Sequence, residues 1–328
     1  MVKISHSPKI LEVFVHTSKS LLAHCTAKLL FGCALSFILL VLLSHPAHSR
    51  KGIKIWEEAT KALNEKRYEE AIELYTYGIE MYPYDPEIYK ALTNRGRALI
   101  RIGELDRAEA DLKESLSQNN RYAPTINALG ELKAARKDWD EALAYYNISM
   151  EIDPKNPANY IRRSIAYRNK GQIKKALSDI DEAIRLNPDL AIAYFNRGML
   201  KTDSGDIDGA ISDFTKCIEM TPDYLTAYYK RGVAYERKSD YKRAVEDYNT
   251  VLKAKPLHFG SLFQRGLIHA RYERYDLAIK DLTSAAAVEP RNAAVQYNIG
   301  VVMEEIGNYG EAKKYFDKAC TLDKAFCE

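Results

Sequence analysis

LTAYYKRGVAYERKSDYKRAVEDYNTVLKAKPLH, residues 225–258, is one of a run of 34-residue segments laid end to end. Its Pro256 recurs at the same interval as Pro154, Pro188, Pro222 and Pro290. Its Ala244 recurs as Ala142, Ala176, Ala210, Ala278 and Ala312, and its Gly232 as Gly198, Gly266 and Gly300. Inside the segment, Tyr228, Gly232 and Tyr235 fall at helical spacing, Lys238-Ser239-Asp240 interrupts it, and Ala244 and Tyr248 begin a second apolar face. Pro256 cannot continue that second helix, because proline has no backbone N–H and its ring clashes with the preceding turn. Two helices per unit at this period predict a stack of helical hairpins, each burying its apolar face only against its neighbours.

Setting the proline at position 32 divides the chain into eight units, 52–85, 89–122, 123–156, 157–190, 191–224, 225–258, 259–292 and 293–326, with only 86–88 out of step. The repeat array thus fills 50–328 and follows a separate N-terminal segment, 1–49. Gly171, Gly205 and Gly307 end the first helices of units 4, 5 and 8 by access to positive φ. A small residue at position 20 and a large one at 24 (Tyr75, Tyr146, Phe214, Tyr248, Phe316) let the two helices approach closely. Units 2, 4, 5, 6 and 7 carry Arg at position 7 (Arg95, Arg163, Arg197, Arg231, Arg265), and the same five carry Asp at 23 (Asp111, Asp179, Asp213, Asp247, Asp281). Units 1, 3 and 8 lack both, so the pattern predicts ion pairs between the two helices or across to a neighbouring unit.

An aromatic at 4, Gly or Ala at 8, Tyr at 11, Ala at 20, an aromatic at 24, Ala at 27 and Pro at 32 together resemble the tetratricopeptide repeat over about 51–326. The resemblance implies an all-α, right-handed α-solenoid of helix-turn-helix repeats. Unit 1 departs with Ile55 and Ala59, unit 2 has Asn120 in place of the proline and unit 8 has Lys324. No further polar helix follows unit 8, so Glu304, Glu305 and Glu311 are expected to solvate its outer face.

In such arrays the first helices line a concave face, so the resemblance also implies a binding surface. Position 5 reads Ile161, Phe195, Tyr229, Phe263 and Tyr297 over units 4–8, and position 9 reads Ile165, Met199, Val233, Leu267 and Val301, flanked by Arg168, Arg237, Arg271, Glu236 and Glu304. An apolar double stripe with aromatic anchors suits an amphipathic helix or extended peptide. The competing reading packs positions 5 and 9 against adjacent units as core, and both readings stand at this point. The family's clamp for chaperone C-terminal carboxylates needs Asn at position 9, where this chain has Thr60, Arg97, Glu131 or an apolar residue.

Charge and composition narrow the function classes. Of 48 basic and 45 acidic residues, five basic and one acidic lie in 1–50, which leaves the array near neutral and without the basic stripe that nucleic acid binding requires. Only His258 and His269 fall within the array, and the five cysteines form no closely spaced pairs, so no metal site and no cofactor are expected. Cys320 and Cys327 are read as free thiols, since a disulfide would need the last helix to end between them and seven residues of helix set their Cα atoms beyond bridging range. No nucleophile elbow or phosphate-cradling loop is present, and no enzymatic activity is expected.

Residues 29–44 form an uncharged apolar run followed by Ala47-His48-Ser49, small residues placed as at a signal-peptidase site. A cleaved signal peptide and an uncleaved membrane anchor are both compatible with that run, and both place the array in an exported (periplasmic or secreted) compartment or at a membrane, although an anchor of inverted orientation would reverse the side. The expected function is a non-catalytic scaffold or adaptor for a protein or peptide. The alternative is a self-assembling structural module or an accessory subunit of a larger complex.

Overall fold

A computed structural model describes residues 54–327. The apolar run 29–44 and the flanking small residues lie outside the described residues. Among the described residues, no helix is long and apolar enough to cross a membrane. Sixteen helices follow one another with no strand among these residues, in two compact units divided between Asn120 and Arg121.

The first unit contains α1 (54–64), α2 (Tyr68–Met81), α3 (Ile88–Ile102) and α4 (Leu105–Gln118), paired as hairpins α1/α2 and α3/α4. Its interior holds Ala59, Tyr75, Leu92, Leu99 and Leu112, and Trp56 stacks on Tyr75 with ring centroids 6.3 Å apart. The out-of-step residues 86–88 fall where the chain turns into α3.

The second unit is six hairpins: α5 (Ala123–Ala135) with α6 (Trp139–Ile152), α7 (Pro157–Asn169) with α8 (Ile173–Leu186), and α9 (Ala191–Ser204) with α10 (Ile207–Met220). The series continues with α11 (Leu225–Arg237) and α12 (Tyr241–Ala254), α13 (Phe259–Arg271) and α14 (Tyr275–Val288), and α15 (Ala293–Glu305) and α16 (Tyr309–Leu322), then a 3₁₀ turn, Lys324–Phe326. Within this unit each second helix packs on its own first helix, and all but α16 pack on the first helix of the next hairpin.

Sequence explains the close hairpin packing. Position 8 is glycine in six repeats because the position-24 side chain occupies the space a Cβ would need: a Cβ at Gly198 would lie 2.7 Å from Phe214, and one at Gly232 2.7 Å from Tyr248. Position 20 is a fully buried alanine throughout this unit from Ala142 to Ala278.

The turn inside every hairpin passes through positive φ at position 15. Gly103, Gly171, Gly205 and Gly307 supply it in four repeats, while Lys66, Lys137, Ser239 and Glu273 adopt φ of 57–65° in the others. A side chain at that φ costs roughly 1 kcal/mol that glycine avoids. Glu273→Gly is therefore expected to stabilise the protein by about 0.5 kcal/mol after glycine's own entropy loss, read as a rise in the thermal midpoint.

One expectation is overturned. Cys320 and Cys327 are joined in a disulfide, with Cα atoms 4.5 Å apart. The helix stops at Leu322, and the Lys324–Phe326 turn folds the chain back, so the helical rise that would have separated the two cysteines is absent.

Candidate functional site

The first-helix surface of repeats 4–8 lies within the second compact unit. Its position-5 side chains are set by packing at the hairpin joints. Phe195 lies 5.7 Å from Phe214 and 5.1 Å from Tyr224, and Tyr229 lies 5.9 Å from Tyr248 and 5.0 Å from His258. Tyr297 repeats the arrangement, 5.4 Å from Phe316 and 5.3 Å from Phe326. Each of these rings therefore contacts position 24 and position 34 of its own repeat. Phe263 stacks on Phe259, and Ile161 is buried in a cluster against which Leu190 also packs. The aromatic members remain half-exposed, so one ring serves both hairpin packing and the surface.

Position 9 is exposed to a similar degree in repeats 5–8 and more so in repeat 4. Ile165 is 40% exposed, Met199, Val233, Leu267 and Val301 are half-buried, and Ile192 at position 2 adds a further 42%-exposed apolar side chain. Positions 5 and 9 thus both contribute half-buried side chains to the stripe, and Val233 and Leu267, like Tyr229 and Phe263, also pack against the core of their hairpins.

The flanking cations are tied across repeats. Arg168 pairs with Asp203 one repeat on, and Arg237 donates from Nη1 to the Thr202 carbonyl one repeat back, at 3.2 Å. Arg271 lies over the Tyr241 ring, 4.8 Å from its centroid. Arg237 and Arg271 stay exposed. Glu236 is half-buried and accepts from the Tyr248 hydroxyl at 2.7 Å; burial pushes its carboxyl above the usual range, with that hydrogen bond pulling it back. Glu304 is exposed.

The Arg and Asp residues at positions 7 and 23 form a ladder. In all five repeats the guanidinium grips its aspartate through both Nε and Nη2, at 2.7–2.9 Å. The pairs are Arg95 with Asp111, Arg163 with Asp179, Arg197 with Asp213, Arg231 with Asp247 and Arg265 with Asp281, and every aspartate is buried. The remaining nitrogen, Nη1, reaches position 25 of the preceding repeat: Thr76, Asn147, Asp181, Thr215 and Asn249, at 2.5–3.1 Å. Each arginine therefore joins the two helices of its own hairpin and the hairpin before it. Tyr228 and Tyr235 flank the Arg231 guanidinium on one helix face, which further shields it. Burial pushes the Asp247 carboxyl up, against the pull of Arg231.

Sequence reasoning identified positions 7 and 23 but not their third partner. The signal was a polar residue at position 25 ahead of every arginine-bearing repeat, Thr, Asn or Asp in each case. The ring-on-ring contact of positions 5 and 34 was also missed, because it reaches across most of a repeat. Elsewhere, the Cys217 thiol is buried and pushed up to about 11 by that burial, which leaves it unreactive. Among the described residues, no group of three or more His, Cys, Asp or Glu side chains is placed to hold a metal ion.

Comparison with known proteins places this architecture. Family models described as tetratricopeptide repeat match residues 57–124, 157–190, 197–259 and 263–325. The Hsp70-Hsp90 organizing protein of Triticum aestivum is 27% identical over 144 residues, 43% of this chain and 22% of that protein. The human DnaJ homolog subfamily C member 7 is 33% identical over 67 residues, 20% of this chain and 14% of that protein. The chain thus spans a quarter or less of the length of these curated relatives. Among solved structures, the Cut9-Hcn1 hetero-tetramer of the APC/C matches with a TM-score of 0.62 at 19% identity, over 82% of this chain and 53% of the matched one. A tetratricopeptide repeat protein from Parabacteroides merdae matches with a TM-score of 0.56 at 19% identity, over 77% and 99%. The chain belongs to the tetratricopeptide repeat family, whose members mediate protein–protein interaction.

Proposed function

We propose that this protein is a non-catalytic scaffold that holds an apolar-anchored protein segment or peptide along the first helices of repeats 4–8. The carrying observation is the position-9 stripe: Ile165, Met199, Val233, Leu267 and Val301 run across five successive repeats, partly exposed, beside the half-exposed position-5 rings. Exposed Arg237 and Arg271 border the stripe and give a bound segment polar contacts at its rim. The two chaperones for which the wheat relative is named are not the ligands we favour, because Thr60, Arg97 and Glu131 stand where a carboxylate clamp needs Asn.

We place this scaffold in an exported compartment or at a membrane, anchored or delivered through 29–44. The Cys320–Cys327 disulfide supports that setting, since disulfides persist in oxidising compartments and are rare in the cytosol.

Affinity capture with the full chain tests the binding surface. Met199→Glu/Val233→Glu/Leu267→Glu places three carboxylates on the stripe, and is expected to reduce captured partner at least ten-fold while the far-ultraviolet circular dichroism stays unchanged. Undiminished capture by a folded triple variant would remove the stripe from consideration.

A further inference from the structure

In repeats 5 and 6 the position-34 rings, Tyr224 and His258, lie against the position-5 rings, and the helix beginning at the next residue holds them there. Phe326 occupies the same place against Tyr297 in repeat 8, but Lys324 has replaced the proline and a three-residue 3₁₀ turn carries the ring. That turn has few hydrogen bonds of its own: Ala325 N–H to the Asp323 carboxylate at 3.0 Å, Phe326 N–H to the Asp323 carbonyl at 3.1 Å and Cys327 N–H to the Lys324 carbonyl at 3.2 Å. Among the described residues no further helix packs on it. What closes it is covalent, because the bond from Cys320 on α16 to Cys327 encloses the whole Asp323–Phe326 stretch.

We infer that the Cys320–Cys327 disulfide is a clasp that seats Phe326 on Tyr297, and that its thiol–disulfide state sets whether the Tyr297 end of the first-helix surface is covered. The clasp itself follows from the packing. Its consequence for binding rests on the function proposed above, Tyr297 being the position-5 member of repeat 8. The rings that define this joint, Tyr297, Phe316 and Phe326, are half-buried and lose cover together when the turn is released.

Cys327 is exposed and Cys320 half-exposed, so the bond is open to attack. A small dithiol reduces it in two steps. One reductant thiolate attacks Cys327 Sγ, the S–S bond breaks, and Cys320 leaves as a thiolate that takes a proton from water. The reductant's second thiolate then displaces Cys327 from the mixed disulfide, Cys327 takes the second proton, and the reductant closes to a cyclic disulfide. Two electrons pass from the dithiol to the cysteines.

Amide hydrogen exchange on the full chain, oxidised or treated with dithiothreitol, tests the clasp without any partner. Reduction is expected to speed exchange at least ten-fold in 309–322 and the adjoining part of 293–305, and to leave 241–254 unchanged. Cys327→Ser should reproduce that pattern without reductant and become insensitive to dithiothreitol. Phe326→Ala, with the disulfide intact, should speed exchange in the same two helices and remove most of the response to reduction. The inference is overturned if reduction changes nothing in 293–322, if it loosens the whole array equally, if Phe326→Ala leaves the response intact, or if a non-reducing peptide map lacks the Cys320–Cys327 linked peptide. Failure of the affinity capture with an intact clasp would instead count against the proposed function alone.

Discussion

Replacing Phe214 with alanine is expected to destabilise the protein by about 3–5 kcal/mol, among the largest single losses in the array. The side chain is fully buried, occupies the space left by Gly198 on the facing helix, and supports the Phe195 ring at 5.7 Å. Deleting it removes the transfer free energy of a phenyl group and leaves a cavity that the helix backbones cannot close, since Ala210 already holds them at contact. The partner substitution makes the test specific. Gly198→Val alone overpacks the joint and should cost about 2–3 kcal/mol, whereas in a Phe214→Ala background its side chain enters the cavity, so the double variant should lose less than the sum of the singles. Denaturant unfolding of the four proteins measures this, and strict additivity would mean that the two residues do not share a space. Because repeats couple only to their neighbours, the loss should be concentrated in the hydrogen exchange of repeats 4–6.

The second large effect is at the ladder. Asp247→Ala leaves the Arg231 guanidinium, only 16% exposed, without the two oxygens that hold Nε and Nη2, and is expected to cost about 3 kcal/mol. Arg231→Met with Asp247→Leu removes both charges and should cost clearly less than Asp247→Ala, since neither partner is then stranded. Exchanging the two residues is a sharper probe. Arg231→Asp with Asp247→Arg restores a charge pair but not the Nη1 bond to Thr215, so it should recover only part of the loss. Full recovery would reduce the ladder to a charge pair within one hairpin, with no link to the repeat before it.

Much of this was legible because the repeat is short and each contact recurs at one offset. Gly198 with Phe214, and Arg231 with Asp247, are each 16 residues apart and repeat five times or more, so the period itself exposes them. The third arm of each arginine was hidden, since Thr215 and Asn249 read as ordinary exposed helix positions until the helices are placed side by side. Positive φ was legible where glycine marks it, at Gly171 and Gly205, but not at Lys137 or Glu273, where the backbone hydrogen bonds of the turn, Lys137 N–H to the Ala134 carbonyl and Glu273 N–H to the Ala270 carbonyl, hold an ordinary residue in the same conformation. The cysteine pair was misread because helical rise was extended past Leu322, where the chain turns back. The contact of position 5 with position 34 was hidden for a related reason, since the two lie most of a repeat apart and meet only once the next turn is in place.

The central claim is that the apolar stripe on the first helices is where this molecule meets its partner. Site-specific photocrosslinking decides it most directly, with benzoylphenylalanine placed in the full chain at Val233 or Leu267 on first helices, and at the exposed Lys253 on a second helix. The account predicts that the two first-helix positions yield one and the same crosslinked protein and that position 253 yields none of it. A crosslink to that protein from position 253, with none from 233 or 267, would contradict the account.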